Sequence, residues 1–471
     1  MLSYLGVPAC GLAALLCLRL TRLDWTAVLA AALLVLPFAA LPAIGLALGA
    51  LIGARRGMRS KPSAAHLAIG EDAQRRVVSI PLGCDSGSHA LIVGATGSGK
   101  TVTQALIVAG AIEHGLGAVI VDPKGDRLLR ERACAAAQAA GRAFVEWTPS
   151  GPSTYNPYAH GSPGEIADKA LAGERYSEPH YLRQAQRYLA HAARALAAAG
   201  RSATPARLLE LMDPRRLEIL ARALPDERHA QAIFDYLDAL DARQRSGLAG
   251  TRDRLAILAE SELGPWLDPC EGTPALDLLE AVRARSVVYF RLEADRLPLL
   301  SRMLAAAIVG DLLTVAASAQ TQPVPTIVAI DEFSAIAPES VARLFGRARA
   351  AGFSLLLATQ EVADLRAGGP ELLEQVLGNV EAVIAHRQSV PDSAELIARI
   401  AGTRASWSSS EQLEHALPTG RSTRTRSREF AIHPDVIRTL ERGCAAVSVG
   451  AEGSCAVARI FHPLERRGGR R

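Results

Sequence analysis

Cysteine is scarce in this 471-residue sequence, and its arrangement excludes two kinds of site. The seven cysteines stand singly and none forms a CxxC pair, so neither a disulfide framework nor a zinc site is expected. The eleven histidines include no HExxH motif, and we predict no structural metal. The formal net charge is only +4, so bulk charge does not indicate nucleic-acid binding.

Charged side chains are nearly absent from the first 53 residues. Residues 2–18 and 27–53 contain none, and the second run is ample for a membrane-spanning helix. Basic residues follow the first run instead of preceding it, which argues against a secretory signal peptide. We predict a transmembrane hairpin over residues 1–56, making this a multi-pass protein of the bacterial inner membrane. The basic residues between Arg55 and Lys61 would then lie in the cytoplasm. A single span with an interfacial helix is the alternative.

The rest of the chain alternates short apolar runs with helical patterns. Residues 57–163 and 263–460 predict one α/β domain with a mainly parallel sheet, entered through a linker at 57–75. Residues 164–262 carry apolar side chains at helical spacing and predict an all-helical inserted domain. The segment 408–428, rich in Ser, Thr and Arg, is predicted to be a flexible loop, and 461–471 a basic tail.

A glycine-rich motif follows the first buried apolar run and precedes a helical pattern. Its spacing is that of a P-loop, in which backbone N–H groups and the positive end of a helix hold phosphates. The lysine would reach the β- and γ-phosphates, and the threonine hydroxyl would bind Mg²⁺. We therefore predict binding of ATP and Mg²⁺ by Gly94, Ala95, Thr96, Gly97, Ser98, Gly99, Lys100 and Thr101.

Polar side chains end two later apolar runs, where a P-loop protein places its remaining catalytic groups. Asp331 is the predicted magnesium ligand, and Glu332 the carboxylate that polarises the attacking water. Gln360 is predicted to sense the γ-phosphate or position water. Together with Lys100, these residues predict an ATPase. A turn without catalytic role is the alternative for each run end.

The combined motifs resemble the TraG/TraD family of type IV secretion coupling proteins. The resemblance covers nearly the whole chain. Beside the P-loop it rests on Asp-Pro-Lys-Gly-Asp at 122–126 and Tyr-Asn-Pro at 155–157. Asp-Glu-Phe at 331–333 and Ala-Thr-Gln at 358–360 also fit. The resemblance implies a RecA-like fold and a homohexameric ATPase that recruits a relaxase–DNA complex. Such a protein would pump single-stranded DNA into a type IV secretion channel during conjugation.

The resemblance also implies roles for residues that the spacing alone leaves open. Arg349 becomes the candidate arginine finger acting on a neighbouring subunit, with an exposed helix arginine as the alternative. Asp122 and Lys124 are expected near the nucleotide and the subunit boundary, unless they only shape a turn.

The sequence departs from the family pattern in two places, and two other functions stand as alternatives. The turn between the predicted membrane helices is short, and the chain ends in basic residues instead of an acidic tail, so docking through such a tail is unsupported. One alternative is a double-stranded DNA translocase of the FtsK or HerA kind. Another is a membrane receptor that recruits protein effectors and uses nucleotide as a switch.

Overall fold

The computed structural model of the chain describes residues 65–83, 87–173, 176, 178–336, 338–367, 370–414, 417–450 and 453–462. The predicted membrane hairpin at 1–56 lies outside these residues, as does the predicted tail from 463 onward. Among the described residues, one helix is long and apolar enough to cross a bilayer by length and composition. That helix, Pro298–Ala319, has 83% of its most apolar window buried inside the protein.

The main sheet contains eleven of the described strands, and the other four form two small sheets. The strands of the main sheet are β1 (Ala65–Asp72), β2 (Val77–Leu82), β3 (Ala90–Val93), β4 (Gly117–Asp122), β5 (Phe144–Trp147), β8 (Val287–Arg291), β9 (Thr326–Ile330), β10 (Phe353–Thr359), β11 (Ala382–Ala385), β14 (Cys444–Val449) and β15 (Ser454–Ile460). Two small sheets pair β6 (Thr154–Tyr155) with β7 (Ala275–Leu276), and β12 (Thr403–Glu414) with β13 (Leu417–Phe430).

The main sheet is parallel over most of its width. Its order is β2-β1-β15-β14-β11-β3-β10-β9-β4-β8-β5. The strands from β11 to β5 are parallel to one another, and β14, β15, β1 and β2 extend this sheet through antiparallel pairs. The predicted α/β class with a mainly parallel sheet is confirmed. The C-terminal ends of the parallel strands meet at one edge, which is where such sheets bind ligands.

Helices cover both faces of this sheet. One face packs on α1 (Lys100–Glu113) and α2 (Arg127–Ala139). The helices that belong to the other side of the core are α11 (Leu278–Arg283), α12 (Pro298–Ala319), α13 (Phe333–Ile336), α14 (Pro338–Ala348), α15 (Val362–Ala367), α16 (Pro370–Asn379), α17 (Pro391–Ala401) and α18 (Pro434–Arg438). Apolar strand residues alternate between these two cores, as expected for a sheet covered on both faces.

Between β6 and β7 the only regular elements among the described residues are helices. These are α3 (Pro163–Leu171), α4 (Pro179–Ala198), α5 (Pro205–Leu211), α6 (Pro214–Arg222), α7 (Glu227–Asp238), α8 (Ala242–Gly247), α9 (Ala249–Ala259) and α10 (Gly264–Leu267). Several begin where the sequence places a capping side chain: Ser162, Thr204 and Asp226 each accept a hydrogen bond from a backbone N–H of the first turn. Most of these helices share a core of their own.

A buried ion pair joins this helical region to α12. The Lys169 ammonium lies 2.8 Å from Asp311 Oδ1, and both side chains are almost fully buried. Lys169 also donates to the carbonyl oxygens of Pro157 and His160, while Asp311 accepts from the Tyr155 hydroxyl. The Tyr-Asn-Pro segment thus supplies partners to both charges.

Two predictions about irregular segments were wrong. The predicted linker at 57–75 contains β1, whose Leu67 and Ile69 are buried. Two apolar positions are too short an alternation to stand out from a linker. The predicted flexible loop at 408–428 lies within the hairpin of β12 and β13, which pair from Thr403↔Phe430 to Glu414↔Leu417. Its composition is typical of loops, but Thr and Arg alternate with a period of two along 423–426, and β-branched Thr favours strands.

Candidate nucleotide-binding site

The glycine-rich loop connects the end of β3 to the start of α1. Gly97 and Gly99 have φ of 78° and 116°, a region that side chains with a Cβ rarely adopt. Gly94 is required for another reason: a Cβ there would lie 2.6 Å from Ser98 Oγ and 2.8 Å from His386 Cβ. The loop therefore closes tightly, and the first turn of α1 presents N–H groups that have no partner within the helix.

Two carboxylates follow directly after β9, the strand two places from β3 in the sheet. The Lys100 ammonium lies 3.0 Å from Asp331 Oδ1 and 2.5 Å from Glu332 Oε1, and all three side chains are buried. Glu332 has φ of 46°, and a non-glycine residue in this region costs on the order of 1–3 kcal/mol. The sheet thus brings Lys100 to two adjacent carboxylates, Asp331 and Glu332, which follow it by more than 200 residues in the sequence.

The environment shifts the pKa values of the two carboxylates in opposite directions. Burial raises the pKa of Asp331, and the nearby Lys100 charge only partly opposes it. Burial also acts to raise the pKa of Glu332, but the charges and hydrogen bonds of Lys100 and Lys124 outweigh it, and the pKa lies below its ordinary value. Glu332 is therefore ionised at neutral pH.

The turn after β4 brings a second lysine to the same carboxylate. Asp122 is buried, and its carboxylate accepts from the backbone N–H groups of Lys124, Gly125 and Asp126. Asp122 therefore shapes the turn. Lys124 points into the site instead, and its ammonium lies 3.1 Å from Glu332 Oε1. Burial acts to lower the pKa of Lys124, but the Glu332 charge outweighs it and the pKa is raised.

These elements surround a cavity of about 540 Å³. Gln360, after β10, borders the cavity, and its side-chain oxygen accepts from the Thr96 hydroxyl at 3.3 Å. The predicted residues that line the cavity are Ala95, Thr96, Gly97, Gly99, Lys100, Thr101, Asp331, Glu332 and Gln360. Gly94 and Ser98 lie in the loop that forms its floor and are buried beneath it.

Three residues at the site escaped the sequence prediction. Arg127 and Arg442 line the cavity, and the backbone N–H of the next residue, Gly443, donates to the Ser98 carbonyl. His386 lies beneath the loop, where its Nδ1–H donates to the Cys444 carbonyl and its Nε2 accepts from the Thr103 hydroxyl. Burial lowers the pKa of His386 to about 4, so the ring is neutral. These three residues belong to no motif that the sequence reveals, because only the tertiary structure brings them close to the P-loop.

Arg349 lies away from this cavity. It precedes β10, whereas Gln360 follows that strand, and seven strand residues separate the two ends by about 20 Å. Its guanidinium lies 3.2 Å from Glu381 and donates to the Asn379 carbonyl. Within one subunit, Arg349 is therefore at the opposite edge of the sheet from Lys100.

The residues around the cavity fit a nucleoside triphosphate with Mg²⁺. The loop and Lys100 supply donors for phosphate oxygens, which are the ligands that this geometry prefers. Thr101 and Asp331 are on the cavity wall and carry oxygen atoms of the kind that Mg²⁺ accepts as ligands. Glu332 is the ionised carboxylate beside them.

Comparison with known families gives two matches. Residues 325–442 match the family model described as the TraM recognition site of TraD and TraG. Residues 67–133 match the model of the central domain of the helicase HerA. No curated protein sequence matches the chain.

Solved structures with a similar fold cover most of the chain. The bacterial conjugative coupling protein TrwBdeltaN70, in its unbound form, has a TM-score of 0.64 and 17% identity, covering 88% of this chain and 93% of its own. The plasmid coupling protein TrwB in complex with ADP and Mg²⁺ has a TM-score of 0.61 and 18% identity, with coverages of 81% and 86%. VirB4 of Thermoanaerobacter pseudethanolicus has a TM-score of 0.54 and 15% identity, with coverages of 85% and 97%.

Proposed function

From the confirmed resemblance to TraG/TraD-type coupling proteins, we propose that this chain is an ATP-driven motor that passes single-stranded DNA into a type IV secretion channel. The observation that carries the proposal is the meeting of Lys100 with Asp331 and Glu332 at the mouth of the P-loop. A loop that only bound phosphate would need no ionised carboxylate at that position. The carboxylate supplies what hydrolysis requires, namely a group that orients water and accepts its proton.

Each residue at the cavity has a definite task in this proposal. Lys100 and the loop N–H groups hold the β- and γ-phosphates of ATP, while Thr101 and Asp331 hold Mg²⁺. The metal neutralises charge that builds on the phosphate oxygens. Glu332 orients the attacking water, and Gln360 lies where it can contact the γ-phosphate. TrwB, whose fold is similar, has been solved with ADP and Mg²⁺, and this supports the same ligands here.

Hydrolysis would be completed by a second subunit. Arg349 is exposed and lies at the sheet edge remote from its own cavity, so it can act only on a neighbour's nucleotide. A closed ring, in our proposal a homohexamer, provides that neighbour. To reach a phosphate, Arg349 would leave Glu381, and this partly exposed pair is weak enough to exchange.

The remaining partners follow from the resemblance. We propose that the hairpin at 1–56 anchors the ring in the inner membrane, with the cavity on the cytoplasmic side. The helices α3–α10 would receive the relaxase–DNA complex, and the ring would pass the strand to the channel components. The match to the central domain of HerA supports a translocating motor in general, including the alternative that the DNA is double-stranded.

ATPase activity of the full chain in detergent tests this proposal. We expect turnover that single-stranded DNA stimulates and that Lys100→Ala abolishes, whereas the exposed-surface control Arg222→Ala leaves it unchanged. Stimulation by duplex DNA alone would favour the double-stranded DNA translocase. Binding of nucleotide without turnover would favour the nucleotide-switched receptor for protein effectors.

Mixed rings test the arginine finger separately. We expect subunits with Arg349→Ala and subunits with Lys100→Ala each to be inactive alone, and turnover by Arg349→Ala rings alone would contradict the role of Arg349. If Arg349 acts on a neighbour, mixing them restores part of the activity, because some interfaces then combine an intact loop with an intact arginine. Proven mixed rings without any restored turnover would remove Arg349 from the proposal.

A further inference from the structure

A two-stranded hairpin stands apart from the main sheet. It consists of β12 and β13, which pair only with each other among the described strands. We call it the arginine hairpin, defined by residues 403–414 and 417–430. It enters and leaves the main domain between α17 and α18. Because it adds nothing to the main sheet, its sequence is free to serve binding.

One face of the arginine hairpin concentrates positive charge. Side chains alternate between faces along a strand, so Arg424, Arg426 and Arg428 share one face. Opposite Arg426 and Arg428 in register are Trp407 and Ala405. These two pairs contain two arginines and no carboxylate, and Arg424 adds a third arginine beside them. Successive arginines are about 6.7 Å apart, twice the rise of one strand residue.

An aromatic ring lies in the middle of this row. Trp407 is 62% exposed, which is unusual for the largest apolar side chain. It faces Arg426 across the strands, and the Arg424 guanidinium lies 6.0 Å from the centroid of its ring. The ring therefore has a cationic border and an accessible surface.

The opposite face has a different character. It carries Ser406 opposite Ser427, and Arg404 opposite Glu429, so its charges are balanced. On the arginine face, Arg428 donates to the hydroxyl and carbonyl oxygens of Thr403. No ion pair within the described part of the chain involves Arg424, Arg426 or Arg428. Their charges are available to a partner.

We propose that this face of the arginine hairpin binds single-stranded nucleic acid, with phosphates on the arginines and a base stacked on Trp407. Regularly spaced cations with an interposed aromatic ring match a polymer that carries regular anions and flat bases. Duplex DNA buries its bases in the stack and would leave Trp407 without a partner. The inference rests on the proposed function, since it names the surface that grips the transported strand.

An acidic protein is the competing partner, and the matched family model, described as a TraM recognition site, spans the hairpin. An acidic protein would form ion pairs with the arginines, but its binding would not explain why the exposed Trp407 ring lies among them. Stacking on Trp407 is therefore what separates the two possibilities.

Binding of a fluorescent 20-nucleotide oligo-dT strand to the full chain in detergent tests the inference. We expect Trp407→Ala to weaken binding about 5- to 150-fold, the range for loss of one stacked base, and Trp407→Phe to retain most of it. We expect Arg424→Gln with Arg426→Gln to weaken binding at least tenfold and to reduce the slope of log K against log salt by about 1.4. The matched control is Arg404→Gln, which removes the same charge from the opposite face and should change binding less than twofold.

The outcomes separate this inference from the proposed function. ATPase activity without DNA should stay at the wild-type level in all variants, which also verifies folding. If the wild type binds the strand and the variants bind it equally well, the inference is overturned and the proposed function stands. If polyglutamate competes as well as oligo-dT and Trp407→Ala has no effect, the face binds acidic protein and the inference is overturned. A wild type that binds no single strand overturns both.

Discussion

Replacing Lys169 by Met tests how the helical region is held to the motor core. The lysine ammonium lies between Asp311 Oδ1 and the carbonyl oxygens of Pro157 and His160. Its stem passes closely over α12, because a Cβ on Gly310 would come within 2.8 Å of Lys169 Cγ. Methionine keeps the volume of the stem but leaves the Asp311 carboxylate buried without its counter-charge.

The expected cost is large. Removing one partner of a buried ion pair destabilises a protein by about 3–5 kcal/mol, since the remaining charge stays desolvated. Urea titration of the full chain in detergent, read by pulse proteolysis, measures this loss. The control is Arg222→Met, which breaks an exposed pair with Glu218 and should cost less than about 1 kcal/mol.

The loss should also depend on pH. Burial already raises the pKa of Asp311, and without Lys169 nothing but the Tyr155 hydroxyl opposes it strongly. The folded variant then binds a proton more readily than the unfolded chain does. Lowering the pH from 7.5 to 5 therefore reduces the difference in unfolding free energy between the variant and the wild type. A cost below about 1 kcal/mol, or a gap that does not change with pH, would refute the reasoning.

Three further predictions concern the nucleotide site. Glu332→Gln should lower turnover about 10²- to 10⁴-fold while a fluorescent ATP analogue still binds, because only the water-orienting charge is lost; equal loss of binding would contradict this. Gly94→Val should abolish binding of the analogue, since its Cβ would overlap Ser98, whereas Gly346→Ala, where a Cβ meets no atom within 4 Å, should bind normally. Stability should fall as the pH drops from 6.5 toward 4, because buried His386 resists a proton that the unfolded chain accepts, and in His386→Gln the fall should be smaller in urea titrations.

Local sequence patterns were sufficient to predict the central strands of the main sheet. The apolar run at Gly117–Asp122 and the helix of the P-loop are continuous patterns, and the structure places β4 and α1 there. The antiparallel strands at the side of the sheet were harder to predict. The antiparallel extension through β1 and β15 joins segments nearly 400 residues apart, and no local pattern specifies such a pairing.

The same division holds for the site. Lys100, Asp331 and Gln360 belong to motifs from which the sequence alone predicts their chemical roles. His386 and Arg442 are not in such motifs, because their positions depend on β11 lying beside β3 and on a loop that follows α18. The sequence does not readily predict the arginine hairpin, because the Ser, Thr and Arg content of 408–428 is typical of a loop and the alternation of Thr and Arg covers only 423–426.

Because the Lys100 ammonium contacts Asp331 and Glu332, it would compete with Mg²⁺ for these carboxylates. While its ammonium occupies these carboxylates, a free divalent cation meets oxygens whose charge is already compensated. If Lys100 binds the phosphates of ATP as proposed, it would leave these carboxylates when the nucleotide arrives. The site would then take up Mg²⁺ together with the nucleotide and would bind Mg²⁺ alone only weakly.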